Sequence, residues 1–430
     1  MEIVNTDNLV ALDKAFVWHP FTQMRSWTAE GHEPLLLVSG KGAWLQDGCG
    51  RRYLDGNSSI WTNIHGHRHP AIDAALKSQL DRVAHTSFLG FTNPLAAELA
   101  ARLVALLPGS PLKKVFYSDD GSTGIEVAIK MAIQFFLQNG QSERIQFVSF
   151  ENAYHGDTLG ASSLGGIGMF HDRFRSHQFP VIRLKGIEDL DTVDGANVAA
   201  VVIEPLIQGS SGMRLWPQGM LRELRKWCDE HGAFLIFDEV MTGFGRTGKM
   251  FACMYEGVFP DFLVMAKGLT GGYLPLGATL TTQPVFAGFL GTYSELRTFF
   301  YGHSYTGNAL GCAAALANLQ IFEEEQTLEA LEPKIVHLRD RLNALRASQF
   351  VREIRQCGFI AGIELGGANR EPLDWRAETG AKVCVAARKY GLLTRPIRDV
   401  IVLMLPLCVS KEEIDLAVDA IGKAIAEVCQ

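Results

Sequence analysis

The middle of the chain alternates short apolar runs with amphipathic stretches, and no other feature constrains the fold as strongly. Lys114-Val115-Phe116-Tyr117 reads as a strand. Ile125, Ala128, Ile129, Ala132, Ile133 and Phe136 then follow at helical spacing. Ile145–Phe150, Ala199–Ile203, Phe234–Phe237, Phe262–Met265 and Ala278–Thr281 are further apolar runs, with helical patterns such as Gln218–Glu230 between several of them. Strands that read as unbroken apolar runs are buried on both faces, so the pattern predicts an α/β fold with a mostly parallel sheet covered by helices. Ligands of such sheets sit beyond the carboxyl ends of the strands. Ionisable residues stand at those ends here: Asp119-Asp120, Glu204, Asp238-Glu239 and Lys267.

After residue 305 the texture changes. Ala309–Glu324 and Leu328–Leu345 read as long helices, Ile360–Leu365 and Ile401–Leu405 as strands, and Glu412–Cys429 as a closing helix. This predicts a three-part organisation. Residues 1–70 form an N-terminal segment that joins the small lobe and the active site, 71–305 a large domain, and 306–430 a small α+β domain.

Charge and end sequences exclude several classes. Lys and Arg number 40 against 47 Asp and Glu, for a net charge of −7. Phosphate-backbone binding needs a basic surface, so no nucleic-acid or anionic-membrane partner is expected. Met1-Glu2-Ile3-Val4-Asn5-Thr6-Asp7 lacks a basic start and an apolar core, so no signal peptide is expected. The longest uncharged run, Gly268–Ser294, carries Pro275 and Pro284 and lacks the steady apolar length of a span. Eight dispersed cysteines without a C-x-x-C pair suggest free thiols and a cytoplasmic location.

The strand-end residues suggest chemistry. Burial disfavours a charged lysine and makes it a better nucleophile, as Lys267 would be after Phe262–Ala266. An aspartate at the Asp238 position can stabilise a cationic ring nitrogen. A Schiff-base lysine and an acid for a pyridinium are what pyridoxal phosphate requires. A buried Asp–Lys ion pair, or simple caps, would explain the same residues without function. Gly121-Ser122-Thr123 opens a helix after a strand, an arrangement suited to phosphate or to an ordinary N-cap.

Two other motifs compete. Gly243-Phe244-Gly245-Arg246-Thr247-Gly248-Lys249 has the spacing of a P-loop, but Met250 stands where Ser or Thr must meet magnesium, so a P-loop NTPase is a distant alternative. His65-Gly66-His67-Arg68-His69-Pro70 would put three histidines on one strand face, or form a turn with local hydrogen bonds and no metal.

Phe237-Asp238-Glu239-Val240-Met241-Thr242-Gly243-Phe244-Gly245-Arg246-Thr247-Gly248, and Met265-Ala266-Lys267-Gly268-Leu269-Thr270-Gly271-Gly272 with its lysine 29 residues after Asp238, resemble the signature of subgroup III pyridoxal-phosphate aminotransferases. The resemblance runs over nearly the whole chain. Trp18-His19-Pro20-Phe21-Thr22-Gln23-Met24, Asp55-Gly56-Asn57-Ser58-Ser59-Ile60-Trp61, Ala153-Tyr154-His155-Gly156-Asp157-Thr158 and Leu393-Thr394-Arg395-Pro396 are most similar to its biotin-pathway branch.

The resemblance implies a type I aminotransferase fold, with a mostly parallel seven-stranded sheet in the large domain and a smaller α+β domain. It implies pyridoxal 5'-phosphate as cofactor and a homodimer with active sites at the subunit interface. Lys267 would hold the cofactor covalently and later move the substrate proton. Asp238 would pair with the ring nitrogen, Val240 would press on the ring from the strand face it shares with Asp238, and Tyr154 would cover the other side. Gly121 and Ser122 would bind the phosphate with His303 and Ser304 of the partner chain, and Glu204 would lie near the site. Arg395 would take the substrate carboxylate, in a substrate wall with Phe21, Ile60, Trp61, Tyr154, Lys267 and Gly302.

The implied reaction is amine transfer to 8-amino-7-oxononanoate, giving 7,8-diaminononanoate, with S-adenosylmethionine as the usual donor. Phe21, Ile60 and His303 replace the family's Tyr, Trp and Pro, and these changes resemble members that use lysine. An ω-amino acid or diamine aminotransferase on the same fold is the alternative.

Overall fold

A computed structural model describes residues 6–429; the start of the segment read for targeting, residues 1–5, lies outside the described residues. Seven strands make the central sheet: β1 (Leu112–Ser118), β2 (Gln146–Phe150), β3 (Val181–Leu184), β4 (Val198–Ile203), β5 (Phe234–Asp238), β6 (Phe262–Met265) and β7 (Gly277–Thr282), in the order β1-β7-β6-β5-β4-β2-β3. β7 runs antiparallel to both neighbours, β1 and β6, and the pairs from β6 to β3 are parallel.

Alternate residues of the central strands feed two separate cores. Val201, Ile203, Leu235, Phe237, Leu263 and Met265 join one face. Ala200, Val202, Ile236, Phe262 and Val264 join the other, against helix α1 (Gly121–Gln138). This period-two division of wholly apolar runs is the physical content of the expected two-sided burial. β3 is a strand that the apolar pattern does not announce. Arg183 interrupts it, and this edge strand buries little but Leu184; Arg183 itself donates to the carbonyls of Ser163 and Gly165.

Helix α2 (Met220–His231) follows β4 and ends at Gly232 in the left-handed region, an ordinary helix stop. Helix α3 (Ala309–Glu324) is apolar on nearly every face and is correspondingly buried. It packs against helices Pro70–Leu80 and Pro94–Ala105 and against the turn after β6.

The N-terminal segment supplies an antiparallel meander, Leu37–Lys41, Trp44–Asp47 and Arg52–Asp55. Leu392–Leu393 adds a parallel strand to it, so the start of the chain is tied to its C-terminal part. A second antiparallel sheet joins Val351–Cys357, Ile360–Leu365, Val400–Leu403 and Pro396–Ile397. The helix Lys411–Val428 starts with a reciprocal cap between Ser410 and Glu413 and closes the chain. Among the described residues no helix is long and apolar enough to cross a membrane.

Candidate active site

Five carboxyl ends of the sheet converge on one cavity of about 480 Å³. β1 delivers Gly121 and Ser122, β2 leads to Tyr154 and His155, β4 to Glu204, β5 ends on Asp238, and β6 leads to Lys267.

Lys267 begins the turn after β6 in the left-handed region, with φ of 43°. A non-glycine residue there is strained, and such strain is held only where the surroundings fix it. Asn318 of α3 donates to the carbonyls of Gly268 and Leu269, at 3.0 and 3.1 Å, and fixes that turn. The Lys267 amine is buried 5.0 Å from the centre of the Trp61 ring. Burial lowers its pKa, against the opposing pull of Asp238 and Glu204.

Asp238 is also buried, and His155 donates from Nδ1 to its Oδ2 at 2.7 Å. The backbone N–H of Val240 donates to Oδ1 at 3.1 Å. Glu204 accepts from the backbone of Tyr154 at 3.1 Å and of Gly209 at 2.9 Å. Burial nevertheless pushes its carboxyl up to about 7; the nearby His155 lowers it and Asp238 adds to the rise.

The phosphate-sized end of the cavity is shaped by close backbone approach. A Cβ on Gly121 would lie 2.7 Å from Val240 Cγ1, and one on Gly156 would lie 2.2 Å from Ser122 Oγ. Asp120 caps α1 by accepting from Thr123 N, while Ser122 Oγ accepts from Asp157 N at 3.2 Å. The Tyr154 hydroxyl donates to Asp157 Oδ2 at 2.7 Å, and its ring stacks at 19° on the buried His171, whose pKa burial lowers.

A second cavity of about 530 Å³ shares Trp61, Tyr154, Ser210 and Lys267 with the first. Its wall adds Phe21, Ile60 and Arg395. One lobe therefore presents an amine, a carboxylate and a helix N-terminus, and the other presents an aromatic wall and a guanidinium. This donor set fits a pyridine bearing an aldehyde and a phosphate: Lys267 for the aldehyde, Asp238 for the ring nitrogen, and Gly121 with Ser122 at the start of α1 for the phosphate.

The sequence-predicted residues are brought together with some exceptions. Val240 lines the cavity, but it lies in the turn past the end of β5, so it shares no strand face with Asp238. Gly302, His303 and Ser304 line neither lobe; His303 lies 3.2 Å from Asp119 of its own chain.

The P-loop-like segment does not lead into a helix. It ends in the short turn Ala252–Tyr255, and its Arg246 is buried, donating to the carbonyls of Asn63 and Leu405 and to Ser58 Oγ. The three histidines lie in a turn rather than a strand: His67 pairs with Asp55, His69 with Glu325, and His65 packs edge-on against Phe322. His155 is a candidate site residue that the sequence pattern does not single out. Its one signal is its place beside Tyr154, just after a strand that ends at the same sheet edge.

Known proteins give the same picture. A family model described as aminotransferase class-III matches residues 27–425. The adenosylmethionine-8-amino-7-oxononanoate aminotransferase of Geobacter sulfurreducens is 47% identical, over 99% of this chain and 98% of its own. The crystal structure of the enzyme of that name from Methanocaldococcus jannaschii superposes with a TM-score of 0.96 at 40% identity, covering 99% of this chain and 100% of that one. A PLP-bound amine transaminase from an uncultivated Pseudomonas species has a TM-score of 0.88 at 32% identity, covering 96% and 98%.

Proposed function

The chain belongs to the class-III aminotransferase family, and from that premise we propose that it converts 8-amino-7-oxononanoate to 7,8-diaminononanoate in biotin biosynthesis, with S-adenosylmethionine as amino donor. It is an aminotransferase that depends on pyridoxal 5'-phosphate. The observation that carries the reading is the two-lobed cavity, whose lobes meet at Lys267 and whose far wall holds Arg395. When bound, pyridoxal phosphate supplies a carrier for the amino group and a sink for the electrons of the reacting carbon.

The chain's own residues do the rest. Lys267 would hold the cofactor through Nζ, and the same atom, when free, would take and return the proton at the substrate carbon. Its lowered pKa leaves the amine unprotonated more readily, as both tasks require. Asp238, held by His155, keeps a proton on the ring nitrogen. Tyr154 and Val240 would confine the ring, and Glu204 lines the same cavity. Gly121 and Ser122 hold the phosphate, joined by His303 and Ser304 of the partner subunit, with Gly302 of the partner subunit at the substrate. Arg395 orients the acceptor through its distal carboxylate, a forked contact that lysine cannot reproduce. Phe21, Ile60 and Trp61 exclude water and read the donor.

The partner subunit is a second copy. Trp18, Leu89, Phe91, Tyr293 and Phe300 are each at least 70% exposed in the single chain, large apolar side chains that a second copy would cover. All eight cysteines are free thiols, which supports a reducing compartment, and we place the enzyme in the cytoplasm.

Phe21 and Ile60 in the donor wall keep lysine as a second donor for the same reaction, and the likeness to an amine transaminase keeps a second reading, an ω-amino acid or diamine aminotransferase. The attachment itself is tested by borohydride reduction of the holoenzyme and peptide mapping. The label falls on Lys267, and Lys267→Ala loses both label and turnover while keeping the fold. A label on Lys249 or Lys130 contradicts the assignment.

A further inference from the structure

A third cavity, of about 410 Å³, shares no lining residue with the two lobes of the active site. Its wall presents Lys41, Arg52 and Arg68 together with His65, His67 and His69, and contains no carboxylate. Two acids that reach the histidines are already engaged: Asp55 takes His67 Nε2 at 3.0 Å and Glu325 takes His69 Nε2 at 3.1 Å. Among the described residues, none of the three cations has an ion-pair partner; Arg52 lies over the Trp44 ring, 5.0 Å from its centre. His65 is 5% exposed, and its Nε2 has no hydrogen-bond partner.

Lys41, Arg52 and Arg68 line this hollow and are exposed in the single chain, which is acidic overall, and like charges grouped in this way repel each other. A bound anion turns that repulsion into attraction. The two guanidinium forks match oxyanion geometry, and the ammonium adds a point charge. The volume lies within the range of small-molecule sites, roughly 300–1,000 Å³. We propose that this cavity binds a multivalent oxyanion of the phosphate class, either free pyrophosphate or the phosphate chain of a nucleotide.

The test is calorimetric titration of holoenzyme whose cofactor has been fixed by borohydride, so that the cofactor's own phosphate place is filled. Pyrophosphate, ATP and citrate are compared at equal, low ionic strength. Pyrophosphate should saturate one site per chain and weaken as salt is added. Lys41→Gln combined with Arg68→Asn should loosen binding by about tenfold or more; asparagine suits the left-handed backbone at position 68, where φ is 56°. Arg52→Gln should loosen it independently, and Arg395→Ala should leave it unchanged. Tighter binding of ATP identifies a nucleotide as the ligand, and equal binding of ATP and pyrophosphate identifies the phosphate chain alone. Citrate binding as well as pyrophosphate overturns the phosphate assignment. No saturable heat in any arm, or binding lost in Arg395→Ala but kept in the double variant, overturns the site.

Discussion

His155 and Glu204 flank Asp238, the carboxylate proposed to serve the ring chemistry, and each makes a residue-scale prediction. His155→Leu removes the N–H that Asp238 accepts and leaves a buried carboxylate short of a partner. Turnover should fall by roughly tenfold or more, because a pre-placed charge is then poorly held. His155→Gln can still donate and should recover part of the loss. Equal activity of the two variants contradicts a positioning role. Glu204 has its folded-state pKa raised to about 7 from an ordinary value of 4.5. The stability tied to its proton is therefore complete below about pH 4.5 and is lost as pH rises through 7. Cofactor-free wild type should lose stability relative to Glu204→Gln between pH 5 and pH 8, by on the order of 3 kcal/mol. Denaturant titrations at the two pH values measure this, and a constant difference between the proteins refutes it. Lys267, Asp238 and Glu204 are legible in the sequence because each follows an apolar run, and the end of such a run marks the end of a strand. His155 is not, because no apolar run ends on it; only the pairing of β2 with β4, and of β4 with β5, brings it beside Asp238.

Helix α3 fixes the turn that carries Lys267, and its role belongs to the scale of elements. Asn318 lies fully buried on a mostly apolar helix, and its amide donates to two carbonyls that follow the lysine. Asn318→Leu leaves the Leu269 carbonyl unpaired and the Gly268 carbonyl with only the Gly271 N–H, and should cost about 1–3 kcal/mol. Thermal unfolding checks the loss, and cofactor retention should weaken with it. An unchanged melting temperature means that the turn is held by other contacts. Most elements are readable from periodicity: the long C-terminal helices and the strands β2 and β4–β7 lie within a residue or two of their expected bounds. β3 escapes because Arg183 breaks its pattern at the sheet edge. Val240 falls in a different place because strand periodicity does not extend two residues beyond the last paired residue, Asp238. Apolar pattern shows where a strand runs but not where its hydrogen bonding stops.

Long-range ties decide how the whole molecule is divided. Arg246, buried and with its pKa lowered to about 9 by that burial, joins residues 58–63 to Leu405. The strand Leu392–Leu393 completes the N-terminal meander. The strand tie is the observation behind the proposed grouping of residues 1–70 with the small lobe over 306–430, while Arg246 belongs to the proposed large unit over 71–305 and ties it to both. None of this is visible in local pattern, since the joined segments lie hundreds of residues apart. The resemblance, in contrast, carries the site further than pattern can, because two specific motifs fix Asp238 and Lys267 together. The substrate is where motif and geometry must meet. The most direct measurement is mass-spectrometric detection of product when purified holoenzyme is given 8-amino-7-oxononanoate with S-adenosylmethionine or with lysine. The account predicts 7,8-diaminononanoate, at a higher rate with S-adenosylmethionine, and none from Lys267→Ala. No diamine with either donor, from an enzyme whose cofactor still accepts amine from simple ω-amines, would contradict it.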